Sequence, residues 1–254
     1  MRLHFDPSLA ENYSSVSQKI RVMSEAWVAG NGYCVYCGSR LVHFKNNKPV
    51  GDFYCSSCKA EFELKCHREK LNERIQGGAY DAMVSKIESG TVPNLLCIAY
   101  DTKDYSVKNF VAIPGYFFSK TLVLKRKPLK ETARRAGWTG CILDISSIPS
   151  DGKVYIVKDK AVIDKNSVIG SFMKTLFVGS MDENTKGWAC DILKCIEFMG
   201  KNIFSLDDIY GFEQLLQSRH PRNSAIRAKI RQQLQMLRDK NYLVFLGNGM
   251  YRLR

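Results

Sequence analysis

Two groups of residues in the first quarter of the chain have the types and the spacing to do chemistry. The first is Cys34-x-x-Cys37, seventeen residues, then Cys55-x-x-Cys58. Two residues between cysteines let both sulfurs of a pair reach one tetrahedral ion, and a second pair completes the shell. The spacing therefore predicts a four-cysteine zinc site. With every position filled by thiolate, such a zinc is structural and offers no open position to a substrate. His43 lies between the pairs, but with four cysteines available it is expected at the surface. The second group is Asp52, ten residues, Glu63, one residue, Lys65. Residues two apart on a strand share a face, so Glu63 and Lys65 fall on one side of "EFELK", with Phe62 and Leu64 toward the core. Asp52, on the preceding strand, approaches Glu63 across a hairpin whose tip carries the second cysteine pair. Two carboxylates suit a hard divalent cation such as magnesium, and a lysine beside them can orient an attacking water. That is equipment for phosphodiester hydrolysis. A Glu-x-Lys pair is also a common solvated strand edge, so the residues alone leave both readings open.

The bulk of the chain says what company such a site keeps. At 254 residues it can bury one large core or two smaller ones. Its net charge of +13, from 38 basic and 25 acidic side chains, favours a polyanionic partner. No long apolar run, signal peptide or basic amphipathic anchor is visible, so no membrane partner and a cytoplasmic location are expected. The nine cysteines are odd in number, which argues for metal ligation by four and burial of the other five as small apolar groups.

The elements that must position the site follow from periodicity. Residues 14–30 carry Val16, Ile20, Met23 and Trp27 at helical spacing, with Gly30 as the expected stop. Residues 77–89 read as a second helix, "NLLCIAYD" and "KNFVAIPGYF" as core strands, and "GKVYIVKDKAVID" as a hairpin. Between Lys120 and Arg135 stand seven basic residues and one acid. The last seventy residues have another rhythm. A helix with Trp188, Ile192, Cys195 and Ile196 on one face precedes "SLDDIYGFEQLLQS", which opens with Ser205 and Asp208 as a capping-box pair. A long helix follows, with Ile226, Ile230, Leu234 and Leu237 inward, and then a hairpin turning at Gly247-Asn248-Gly249. Three helices and a two-stranded wing make a winged helix. The expected division is 1–181 and 182–254.

At this point the chain resembles a known family. "VSQKIRVMSEAWV", the four cysteines, "GDFYC", "EFELK", "GAY", "RKPL", "TARRAGWTGC" and "KIRQQLQMLRDK" occur in the order found in the DpnI-like methyl-directed restriction endonucleases. The similarity covers nearly the full length. It implies an α/β fold, the PD-(D/E)XK mixed sheet flanked by helices with an inserted four-cysteine zinc site, plus a C-terminal winged helix. It implies magnesium-dependent type II cleavage of double-stranded GATC sites carrying N6-methyladenine, with Asp52 and Glu63 as magnesium ligands and Lys65 as the catalytic lysine. Cys34, Cys37, Cys55 and Cys58 hold structural zinc on this reading, and the winged helix reads the methylated site a second time. One departure is plain: proline and aspartate, adjacent in the motif, stand apart here as Pro49-Val50-Gly51-Asp52.

Recognition of a methylated adenine needs an apolar wall for the added methyl group in the major groove. Trp138 is the candidate, with Arg134 and Arg135 beside it for guanine edges or phosphates. In the winged helix the third helix is expected in the major groove. Arg222, Asn223, Ser224 and Arg227 then lie near bases, while Lys229 and Arg231 meet phosphate. A monomer in solution is expected. The rival reading is a non-catalytic, zinc-stabilised winged-helix DNA-binding regulator, in which Glu63 and Lys65 are structural.

Overall fold

The structure, a computed structural model, describes residues 1–44 and 51–254, so Pro49 and Val50 of the spaced motif lie outside the described residues. Val16–Asn31 forms helix α1, which buries Met23, Trp27 and Val28. Two details of this helix differ from expectation. Val16 is 57% exposed, and the helix runs through Gly30 to end at Gly32. The Gly32 N–H donates to the Val28 carbonyl, and a Cβ there would stand 2.7 Å from that oxygen. The closing turn therefore has room only for glycine.

Three strands follow: Leu41–His43 (β1), Phe53–Cys55 (β2) and Glu61–Arg68 (β3). The chain then passes through Arg74–Ala79 (β4) and the helix Tyr80–Glu88 (α2) before returning as Asn94–Tyr100 (β5). That crossover lets β5 run parallel to β3, which a tight turn cannot do. Val107–Ile113 (β6), Val123–Lys125 (β7), Gly140–Asp144 (β8), Val154–Lys158 (β9), Ala161–Val162 (β10) and the helix Lys165–Lys174 (α3) come next. The main sheet has the order β1-β2-β3-β5-β6-β9-β10, mixed because only β3 and β5 pair in parallel among the described strands. All seven residues of β5 are buried, as a strand covered on both faces requires. A smaller sheet, β4-β8-β7, stands beside it. Trp27, Phe53, Phe62, Phe110 and Phe172 share one core cluster.

The chain folds as two compact units, Met1–Ser146 with Asp151–Thr175, and Ser147–Ser150 with Leu176–Arg254. The second unit contains Glu183–Met199 (α4), Ile203–Ser205 (β11), Leu206–Tyr210 (α5), Glu213–Arg219 (α6), Ile226–Asp239 (α7), Leu243–Gly247 (β12) and Met250–Leu253 (β13). The stretch read as one helix from Ser205 is two, because Gly211 closes α5 before α6 begins. The capping box is present: Ser205 Oγ accepts from the Asp208 N–H at 3.1 Å, and Asp208 Oδ2 accepts from the Ser205 N–H at 2.7 Å. Trp188, Ile192, Cys195 and Ile196 of α4 meet Ile226, Ile230, Leu234 and Leu237 of α7 in the unit's core. The wing turns through positive φ at Gly247, Asn248 and Gly249, and β13 pairs with both β12 and β11. No described helix is long and apolar enough to cross a membrane.

Phe62 is fully buried and faces its register partner Phe53, so it ties the β2–β3 hairpin to the core. Phe62→Ala is expected to lower stability by about 3–5 kcal/mol, the range for a truncated core aromatic, read by chemical denaturation.

Candidate metal centre and active site

The chain reverses twice on one hydrogen-bond pattern. In the first knuckle the Cys34 N–H donates to the Ser39 carbonyl (2.8 Å) and the Gly38 N–H to the Cys34 carbonyl (2.7 Å). In the second, the Cys55 N–H donates to the Ala60 carbonyl (2.9 Å) and the Lys59 N–H to the Cys55 carbonyl (3.2 Å). Each knuckle turns through positive φ one residue after its second cysteine, +72° at Gly38 and +63° at Lys59. The four sulfurs all lie within 4.8 Å of one another, with Cys34–Cys58 and Cys37–Cys55 each at 3.5 Å. Zinc–sulfur bonds of about 2.3 Å in a tetrahedron put sulfurs about 3.8 Å apart, so the cluster fits a structural zinc with little adjustment. The N–H groups of Ser57 and Cys58 both point at Cys55 Sγ from 3.4 Å, as donors around a metal thiolate do. Burial pushes the Cys34 thiol up, while hydrogen bonding from Ser39 draws the Cys37 thiol down to about 6. A bound zinc ion deprotonates all four outright.

His43 is not a member of this cluster, nor is it a surface histidine. It is half-buried, its ring edge-on to Phe53 at 5.1 Å and its Nε2 3.2 Å from Glu25 Oε2. Of the five remaining cysteines, Cys97, Cys141 and Cys195 are buried; Cys66 and Cys190 are only partly so.

The second group of residues lies where β2 and β3 part. Their ladder contains only the pairs Phe53–Phe62 and Tyr54–Glu61. At Asp52 the backbone N–H still donates to the Phe62 carbonyl at 2.8 Å, but the next β3 donor, the Leu64 N–H, goes to the Asp52 carboxylate at 2.7 Å. A side chain thus replaces the next rung of the ladder. Beyond it the edge of β3 opens on a cleft of about 430 Å³, which α1 also lines; Arg21, Glu25, Asp52, Glu63, Lys65 and Arg68 contribute to it. Phe62 is buried and Leu64 packs against the same core, while Lys65 Nζ stands 2.5 Å from Glu63 Oε1.

Burial raises the Asp52 carboxyl above its ordinary range, against the pull of the Leu64 N–H; the charges of Glu63 and Glu25 raise it further, and Lys65 opposes them. Mutually repelling carboxylates at an open, water-accessible edge are a fit for a divalent cation, whose charge relieves the repulsion. Asp52 Oδ2 is taken by Leu64 and Glu63 Oε1 by Lys65, which leaves Oδ1 and Oε2 for such an ion.

Glu25 was not singled out by sequence. It projects from α1, bonded to Arg21 Nε at 2.7 Å and placed beside His43. The one signal for it is an acid standing between the buried pairs Met23–Ser24 and Trp27–Val28, where a purely structural amphipathic helix has no need of one.

The residues expected to meet DNA fall in two places. Residues 126–139 form a loop from β7 to β8, closed by the Arg126 N–H to the Gly140 carbonyl (3.0 Å) and the Leu129 N–H to the Trp138 carbonyl (3.0 Å). Its far end runs into β8 at Gly140. Trp138 is half-buried, with the Arg135 guanidinium 4.8 Å from its ring centre, and its indole lies so close to Gly140 that a Cβ there would be 2.8 Å away. Arg134 and Arg135 are exposed.

In the second unit Arg222, Asn223 and Ser224 precede α7 instead of standing within it. Asn223 Oδ1 accepts from the Ala225 N–H at 2.8 Å, so its carbonyl serves the helix start and its amide NH₂ is the part left for an outside partner. Arg227 is on the first turn, but its Nε donates to Glu213 at 2.8 Å and its guanidinium lies 4.9 Å over the Tyr210 ring. Arg231 Nη1 donates to the Tyr210 hydroxyl and Lys229 Nζ to Gln232, each at 2.8 Å. Arg222, Asn223, Ser224 and Lys229 border a cleft of about 540 Å³ floored by Trp188, on which His220 stacks at 3.7 Å.

Comparison with known proteins decides what this architecture belongs to. The profile of the Dam-replacing family, DpnI, matches residues 1–181. The chain belongs to the DpnI family. The Dam-replacing helix-turn-helix domain of that family matches residues 184–253. Membership supports a restriction-type nuclease, methyl-directed in general character, with a DNA-binding helix-turn-helix module and a four-cysteine site fit for zinc.

The cluster geometry carries its own check. Purified protein is expected to release about one zinc per chain when its thiols are modified. Cys58→Ser is expected to lose that zinc and to lower the thermal midpoint, read by metal assay and calorimetry.

Proposed function

We propose that the protein is a type II restriction endonuclease that hydrolyses double-stranded DNA at GATC sites carrying N6-methyladenine, with magnesium held by Asp52 and Glu63. The observation that carries this reading is the Asp52 carboxylate, fixed by the Leu64 N–H on the open edge of β3 beside the Glu63–Lys65 pair. Magnesium bound there supplies charge to the phosphate oxygens and a site for water. The chain's own groups do the rest. Asp52 is held by backbone, so it needs no reorganisation to ligate. Lys65, positioned by Glu63, reaches the phosphate side of the cleft, where it orients the attacking water and offsets charge on the phosphate. On this reading the loop of residues 126–139 carries Trp138 to the bound DNA. N6-methylation leaves one hydrogen for base pairing and turns a methyl into the groove, and the indole of Trp138, only half-buried, is an apolar group suited to it.

The winged helix, residues 182–254 on this reading, is a second reader. Asn223, its Oδ1 oriented by the Ala225 N–H, presents its amide NH₂ as a donor suited to adenine N7. The Arg227 side chain, bound to Glu213, acts through phosphate or helix stability in preference to a base edge.

Incubation with magnesium and plasmid from methylating or non-methylating hosts tests the reading. Cutting of the methylated plasmid alone supports it, whereas binding without cutting supports the regulator. Asp52→Asn should reduce cleavage by about a thousandfold or more while DNA binding and zinc content persist. Because the folded-state pKa of Asp52 is raised, its ionised form opposes folding at neutral pH; the neutral amide is therefore expected to leave the thermal midpoint equal or higher. For the same reason, cleavage at limiting magnesium should fall with acid from a pH above the ordinary aspartate range. Trp138→Ala should narrow the preference for methylated over unmethylated substrate by roughly 10-fold or more, the worth of one apolar contact, measured as a ratio of kcat/KM.

A further inference from the structure

The cleft that holds the carboxylates also holds two arginines with no part in the chemistry just described. Arg21 reaches it from α1 and Arg68 from the end of β3, and both side chains are exposed. Each is aimed. The Arg21 Nε is bound by Glu25 at 2.7 Å, which leaves the two terminal nitrogens of its guanidinium for a ligand. The other Glu25 oxygen stands 3.2 Å from Nε2 of His43 on β1. Arg68 stands opposite Tyr100 in the β3–β5 register, and both residues line the cleft wall. Three acids, Glu25, Asp52 and Glu63, share this cleft, yet neither arginine turns its whole fork onto them. Arg68 also stands three residues beyond Lys65, about 10 Å further along an extended strand than the Glu63–Lys65 pair's end of the cleft.

We infer that Arg21 and Arg68 form a phosphodiester-binding track that holds neighbouring phosphates of the strand being cut. The inference rests on the nuclease reading and deepens it. A guanidinium fork with free terminal nitrogens matches two phosphate oxygens, and rows of such contacts fix the register of a backbone without reading its sequence. The arrangement also answers an electrostatic problem. Lys65 offsets only one of the three carboxylates, and the two arginines along the wall offset the other two over the length of strand that must lie there. Glu25 is then a positioning residue, acting through Arg21.

The test uses the full-length protein, a methylated GATC duplex and magnesium, and follows kcat/KM for cleavage across salt concentrations, because only DNA seated in the cleft is counted. Removal of one phosphate contact flattens the slope of log kcat/KM against log salt by about 0.9. Arg21→Gln and Arg68→Gln are each expected to show this flattening, with kcat/KM lower by roughly 5-fold near physiological salt, and the double variant about twice the change in slope. Lys103→Gln removes an equal charge from an exposed turn outside the cleft and is expected to keep the wild-type slope. Arg68→Lys restores part of the slope if charge on a phosphate is what matters. Slopes for Arg21→Gln and Arg68→Gln equal to wild type, in a protein that cuts, overturn the track and leave the nuclease reading intact. A wild-type protein that binds methylated duplex without cutting it overturns the nuclease reading and the track with it.

Discussion

The hydrogen bond from the Leu64 N–H to the Asp52 carboxylate is the contact on which the site depends. It marks where a β-ladder stops being backbone and becomes side chain. For it to form, β2 and β3 must be in register at Phe53–Phe62, yet their ladder is two pairs long. So short a hairpin does not hold itself together in water. Two other forces do. The cysteine knuckles close both ends of the β1–β2 segment onto one point, and Phe53 and Phe62 bury themselves beneath it. A zinc ion in that cluster would be structural in its ligands, and by closing the hairpin it would help to set where Asp52 stands.

Charge is distributed to match. The chain is strongly basic overall, but the cleft contains Glu25, Asp52 and Glu63 and is the place where a phosphate meets the least welcome without a cation. Arg21, Lys65 and Arg68 balance those acids within the cleft, and further basic side chains gather in the loop of residues 126–139 and before α7. Net positive charge draws DNA in from a distance and is screened within about 10 Å at ordinary salt. On the proposed reading the cleft, where three acids are set among three bases, then decides by local chemistry whether a phosphate is held. Strong attraction at long range combined with conditional acceptance at short range suits an enzyme that must bind many sites and cut few.

The parts legible in sequence were those fixed by short-range geometry. The cysteine spacing predicted the cluster because two intervening residues leave a knuckle few shapes, and the Ser205–Asp208 capping box was readable because its bonds span three residues. The carboxylate pair was legible as possible chemistry; the family resemblance made it specific. What escaped was set by tertiary contact. Glu25 joins the cleft only because α1 packs beside β3. The commitments of Arg227 to Glu213 and of Asn223 to Ala225 are invisible in a string where both look free for DNA. Gly211 split a helix that its hydrophobic pattern alone would continue, and Gly30 was passed over because Gly32 is where the chain has no room for a Cβ.

On the proposed reading, methyl recognition would also explain why a nuclease unit is joined to a helix-turn-helix unit. One methyl group in an apolar contact is worth about 1–3 kcal/mol, which is a factor of roughly 10 to 200 between methylated and unmethylated sites. An endonuclease faces competing sites in great excess, so one such contact leaves too many wrong cuts. A direct hydrogen bond cannot improve the margin, because the methylated amino group has no spare hydrogen to offer in the groove. The remaining route is repetition. If Trp138 and the region before α7 each make a methyl-sensitive contact, their discriminations multiply, and binding by one unit raises the effective concentration of target at the other. On that account the second unit contributes selectivity that no refinement of the catalytic cleft could supply, since the limit lies in the small free energy of a single methyl group.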